Sequence, residues 1–119
     1  MLITREMDYA LRILRALHRE KQLSAAAIAQ RETMPKAVTL KLLKQLHVAG
    51  LVTSRRGASG GYLLNSCKPL FLWDVFLALE GAPLVNRCQQ PQYQCENYPE
   101  GGCGLCRELS RIQSVLDAE

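Results

Sequence analysis

No apolar run approaches the ~18 residues that a bilayer-spanning helix requires, and Glu6 and Asp8 interrupt the apolar residues near the start. Neither secretion nor membrane insertion is expected, and the cytoplasm is the expected compartment. Catalytic sets are also missing: no Ser/His/Asp combination and no paired carboxylates fall in a pattern that would form a pocket. An enzyme is not expected. Neither internal repeats nor low-complexity tracts occur. Acids are scarce in one half only. Residues 1–65 hold eleven Lys/Arg against four Asp/Glu, a balance of +7, whereas residues 66–119 hold four against seven, a balance of −3. A basic half of this kind is the footprint of a surface that meets a polyanion.

What is present is a single small domain, or a domain with a dimerisation arm, in 119 residues with 48% hydrophobic and 22% charged content. Met7, Ala10, Leu11, Leu14 and Leu17 recur at helical spacing and predict a helix from Thr4, its N-cap, to about Glu20. Ser24 caps a short Ala-rich helix reaching about Glu32. Thr33-Met34 breaks the chain, and Pro35 opens a third helix ending near Ala49, with Gly50 as its stop. Val38, Leu42, Leu46 and Ala49 mark one apolar stripe on it. Leu51 to Ser54 reads as a strand, Arg55 to Gly61 as a Gly-rich turn, and Tyr62 to Leu64 as the returning strand. This order is that of a winged helix-turn-helix, mainly α with a small β-hairpin wing.

The wing is no nucleotide loop, because no Gly-Lys-Ser/Thr follows its glycines. Lysines on a surface helix are usually only a solvated face. A Gly-rich Arg-Arg hairpin directly after such a helix, inside a basic half, tips the reading to double-stranded DNA. The third helix would enter the major groove with Lys36, Ala37, Val38, Leu40, Lys41 and Lys44 on its first turns. Arg55, Arg56, Ser59 and Gly60 would meet the backbone or the minor groove.

The division expected is a DNA-binding head over 1–66 and a second segment over 67–119. That segment holds a linking helix from Leu72 to about Glu80, with Phe71, Trp73 and Phe76 packing in the core or a dimer interface. An irregular stretch over 84–102 follows, and then a C-terminal dimerisation helix from Cys103 or Gly104. Leu105, Leu109, Ile112 and Leu116 form a one-sided stripe on that last helix, and an unpartnered stripe predicts a homodimer. His18 and His47, near helix C-termini, are read as favouring the helix dipole.

Cys88, Cys95, Cys103 and Cys106, with gaps of six, seven and two residues, sit on or beside the irregular stretch. Thiolates gathered so closely suit tetrahedral zinc or an iron–sulfur cluster, and their chemistry alone does not choose between the two. Cys67 stands apart and is read as structural or incidental.

Several stretches carry a resemblance. Leu2-Ile3-Thr4, Asp8-Tyr9-Ala10-Leu11-Arg12, Leu42-Leu43 and Ala49-Gly50-Leu51-Val52 all take part. So do Ser54-Arg55-Arg56-Gly57-Ala58-Ser59-Gly60-Gly61-Tyr62-Leu63, Asp74-Val75 and Ala78-Leu79-Glu80-Gly81. Together they resemble the IscR/NsrR-type (Rrf-two) family of dimeric winged-helix transcription regulators, mostly repressors. The resemblance implies a 2Fe–2S or 4Fe–4S cluster sensing redox state, nitric oxide or iron–sulfur status, with Cys88, Cys95 and Cys103 as ligands. The gaps between these cysteines are one or two residues longer than in the best-known members. The fourth ligand implied is either Cys106, where IscR-like members have His, or Asp8 of the partner subunit, as in NsrR-like members. The reading favours Asp8, with Cys106 as a rival or resolving thiol. A pseudo-palindromic operator follows for a two-fold dimer. The competing reading is a zinc-stabilised or metal-free winged-helix regulator acting through a protein partner. An electron-transfer protein ranks third, because it would not need the basic head.

Overall fold

The computed structural model describes residues 3–67, 69–96 and 103–119. The chain divides into two compact units, one ending at Ala82 and the other running from Pro83 to Glu119.

The first unit begins with α1 (Arg5–Glu20). Thr4 caps it, the hydroxyl accepting from the Met7 amide at 3.2 Å, and Glu6 and Asp8 in its first turn complement the helix dipole. Met7, Ala10, Ile13, Leu14, Ala16 and Leu17 are the buried face, whereas Leu11, expected in the stripe, is half-buried and Ile13 and Ala16 join it. A two-residue strand β1 (Gln22–Leu23) follows, and then α2 (Ala25–Arg31), capped by Ser24. Met34 is buried under the turn to α3 (Lys36–Val48), and Pro35 stands at the N-cap. The strands β2 (Val52–Arg55) and β3 (Gly61–Leu64) pair antiparallel in the register Val52 to Leu64 and Arg55 to Gly61. β1 pairs with the other edge of β3, so the sheet order is β1-β3-β2.

Helix α4 (Leu72–Leu79) closes this unit. Its Asp74 carboxylate accepts from the Phe71 amide at 2.9 Å, and Val75 and Phe76 enter the same core as α1 and α3. The linking helix therefore packs with the head. Phe76 is buried, whereas Phe71 and Trp73 are exposed.

The core stripe of α3 differs from the expected one. Thr39, Leu42, Leu43 and Leu46 are fully buried, Val38 is half-buried and Ala49 is exposed. Thr39 enters the core because its hydroxyl is satisfied within the helix, donating to the Pro35 carbonyl at 3.0 Å.

The second unit holds a 3-10 turn (Arg87–Gln89) inside the stretch expected to be irregular, and α5 (Gly104–Ala118) with Cys103 at its N-cap. The buried residue of α5 is polar. Gln113 accepts from the Val85 amide at 2.8 Å and donates to the Pro83 carbonyl at 2.9 Å, tying the incoming chain to the helix. Leu105, Ile112 and Val115 remain exposed, and Leu109 and Leu116 are half-buried.

Candidate nucleic-acid interface and thiol site

The core contacts of α3 decide which of its residues face outward. With positions 39, 42, 43 and 46 inside, Lys36, Ala37, Leu40, Lys41 and Lys44 are left exposed at helical spacing on the other side. Val38, expected with them, is half-buried against the core. Among the described residues no ion pair involves Lys36, Lys44, Arg55 or Arg56, whereas Lys41 meets the Glu6 carboxylate at 2.7 Å. A second tie reaches the start of α1, where the Thr4 hydroxyl donates to Glu80 at 2.5 Å.

The wing turn is tight on itself at Gly60 and lies close against β1 at Gly61. A Cβ on Gly60 would meet the Arg55 carbonyl oxygen at 2.3 Å, and one on Gly61 the Leu23 carbonyl oxygen at 2.8 Å. Only glycine permits that approach, and Gly61 also sits at φ 154°. Gln22 adds a side-chain tie by donating its amide to the Ser59 carbonyl at the tip. Arg55 and Arg56 are exposed beside it. Gln22 and Glu6 were not singled out from the sequence. A lone amide or carboxylate carries no signal until the fold sets its neighbour.

In the second unit, Asn86 donates to the Cys88 sulfur at 3.5 Å. The Gln89 amide nitrogen lies 3.4 Å from the Cys88 sulfur and 3.9 Å from that of Cys106. Ser110 donates to the Gln89 carbonyl oxygen at 3.0 Å. Cys103 caps α5, its sulfur accepting from the Cys106 amide at 3.4 Å. Cys95 lies in the exposed stretch 91–96, and all five cysteines are free thiols. Soft thiols with amide N–H groups directed at sulfur suit an iron–sulfur cluster in donor chemistry. Among the described residues, however, no three His, Cys, Asp or Glu side chains are close enough to share an ion. Asp8, on α1 of the first unit, pairs with Arg12 at 3.0 Å. Gln89 was missed from the sequence, where only its place next to Cys88 hints at a role.

A helix-turn-helix with an Arg-bearing, glycine-clamped wing defines a winged-helix DNA-binding protein. The model of the Rrf2 family, described as iron-dependent transcriptional regulators, matches residues 3–119, and the chain belongs to that family. It is a transcription regulator and no enzyme. It is 32% identical over 115 residues to YffB of Lactococcus lactis, named as an HTH-type transcriptional regulator, covering 91% of this chain and 72% of that one. An rrf2-like HTH-type regulator of Rhodobacter capsulatus is 30% identical, covering 93% and 81%. Among solved structures, CymR (YrzC), the global cysteine regulator of B. subtilis, superposes with a TM-score of 0.70 at 29% identity, covering 98% of this chain and 90% of that one. IscR of T. potens shares the fold, with a TM-score of 0.73 at 20% identity and coverage of 99% and 78%. No helix among the described residues is long and apolar enough to cross a membrane.

Proposed function

We propose that the chain is a homodimeric, sequence-specific regulator, in most settings a repressor, whose operator binding responds to an iron–sulfur cluster. The observation that carries the DNA reading is the exposed basic face of α3 together with an Arg55-Arg56 wing that Gly60 turns tightly and that Gly61 and Gln22 hold against β1. Lys36, Lys41 and Lys44 reach backbone or base edges in the major groove, and Arg55 and Arg56 grip the adjacent strand. A two-fold dimer pairs two such heads on a pseudo-palindrome with half-sites about 10 base pairs or more apart. The exposed Leu105, Ile112 and Val115 on α5 supply the apolar surface for the second copy.

Cys88, Cys95 and Cys103 are the proposed cluster ligands, with Asp8 of the partner subunit or Cys106 as the fourth. A bound cluster supplies a redox-active iron centre that reacts with oxidants and nitric oxide. The family description and the four thiols of the second unit support this assignment. A zinc-stabilised or metal-free winged-helix regulator acting through a protein partner is the second reading, because the same thiols suit tetrahedral zinc. A similar chain, CymR of B. subtilis, is named a global cysteine regulator, which keeps that second reading in play.

The test is anaerobic purification with an absorption spectrum and iron, sulfide and zinc counts per chain, on wild type, Asp8→Ala and Cys106→Ala. Iron and sulfide in near-equal amounts, lost in one variant alone, support the cluster and identify its fourth ligand. Stoichiometric zinc without a visible band overturns it. Selection from random duplexes tests the operator, and enrichment of anything but inverted repeats overturns the two-fold reading.

A further inference from the structure

One carboxamide stands between two thiols of the second unit. The Gln89 amide nitrogen carries two hydrogens and lies 3.4 Å from the Cys88 sulfur and 3.9 Å from the Cys106 sulfur. The sulfurs are therefore no farther apart than those two distances laid end to end. The Ser110 hydroxyl, one turn beyond Cys106, lies 3.0 Å from the Gln89 carbonyl oxygen and 2.8 Å from the Cys106 carbonyl and shares its one hydrogen between them, with the Gln89 amide nitrogen toward the sulfurs. The Cys103 sulfur is engaged differently, as the cap of the Cys106 amide. Cys88 and Cys106 are half-exposed, within reach of a small reagent.

We propose that Cys88 and Cys106 form a dithiol site that a low-molecular-weight disulfide oxidises to an intramolecular disulfide, with Gln89 as the positioning residue. One thiol, as its thiolate, attacks the external disulfide, forming a mixed disulfide and expelling one reagent thiolate. The second protein thiol then attacks the protein sulfur of that mixed disulfide and expels the other. Two protein thiols lose two electrons and two protons, and the external disulfide is reduced to two thiols. Closure has to bring the two sulfurs from that separation to about 2.05 Å, between a 3-10 turn and the first turn of α5. The resulting bond staples residues 88 and 106 across the loop. This site does not depend on the cluster reading, although the two exclude each other at Cys88, since a sulfur in a disulfide no longer ligates iron.

The test uses the whole chain, reduced, with its iron and sulfide counted, and then freed of metal by chelation. After incubation with oxidised glutathione and blocking of free thiols, cleavage after glutamate separates fragment 81–96, with Cys88 and Cys95, from 101–108, with Cys103 and Cys106. The expected product is these two fragments joined. It forms in Cys95→Ser and in Cys103→Ser, which keeps a capping hydroxyl, and disappears in Cys88→Ser and Cys106→Ser. Gln89→Leu is expected to slow closure several-fold while alkylation of the same thiols by N-ethylmaleimide keeps its rate, a split that mere loosening of the unit would not produce. A main product linking Cys103 to Cys106, which leaves 81–96 unjoined, overturns the proposal. So does a chain that stops at mixed disulfides, and equal closure rates overturn the role of Gln89. The iron count reads the cluster separately: disulfide closure in a chain that never held iron upholds this site and overturns the other reading.

Discussion

Among the described residues, Lys41 is the one basic residue of the α3 outer face with an acid already on it, and replacing Glu6 by Gln isolates that contact. The pair is 2.7 Å long, and its side chains are about half-exposed, 56% for Lys41 and 46% for Glu6. An exposed ion pair of this kind is worth about 0.2–1 kcal/mol. If Lys41 binds a phosphate, that attraction is surrendered or shared on the DNA, and the carboxylate also repels the incoming backbone. Glu6→Gln is therefore expected to tighten operator binding by about 1.4- to 5-fold. In a Lys41→Ala background the same change relieves only the repulsion, so its gain is smaller. The double-mutant cycle should return a coupling within that range. Fluorescence anisotropy with a selected operator at two salt concentrations measures it, and the coupling should fade at the higher salt. Glu6 also sits in the first turn of α1, so thermal unfolding of each variant reports its contribution to the helix dipole separately. Weaker binding by Glu6→Gln, or no coupling with Lys41, would refute the placement of Lys41 on phosphate.

Arg56→Ala is expected to reduce the slope of log K against log salt by about 0.9, one phosphate contact, and an unchanged slope in a binding titration would remove the wing from the interface. Leu43→Ala empties a fully buried site between helices and should cost about 2–5 kcal/mol in urea unfolding; a loss below about 1 kcal/mol would place it outside the core. Gln113→Ala leaves the Val85 amide and the Pro83 carbonyl without their partner, at about 1–3 kcal/mol, and hydrogen exchange at Val85 should accelerate. Protection retained at Val85 would show that another group holds that amide.

The head was legible where local chemistry and tertiary packing agree. Thr4 and Ser24 cap the helices they were expected to cap, and the Gly-rich, Arg-Arg segment forms the wing turn. Legibility ended where the partner comes from elsewhere in the chain. Two residues hold no periodicity, so β1 exists only because β3 offers it an edge. Thr39 enters the core because its hydroxyl finds the Pro35 carbonyl, and Ala49, fitting the stripe by spacing, sits past the helix end and is exposed. Val75 and Phe76 join the core of the head, and the first compact unit runs to Ala82, neither of which sequence spacing alone reveals. The cluster of cysteines is visible in the sequence, but the side chain lying against two of their sulfurs, Gln89, follows no pattern there.

The placement of β3 as the middle strand has a mechanical consequence. A two-stranded hairpin projecting from a protein swings about its base, but here the inner strand is zipped on its other side to Gln22 and Leu23. Slippage by one residue would swap the faces of Tyr62 and Leu63 and break both seams at once. Added residues between Gly57 and Ser59 would lengthen the wing's reach while leaving that double seam intact. The tip is thus the place where the wing's reach can change without retuning the body that carries it.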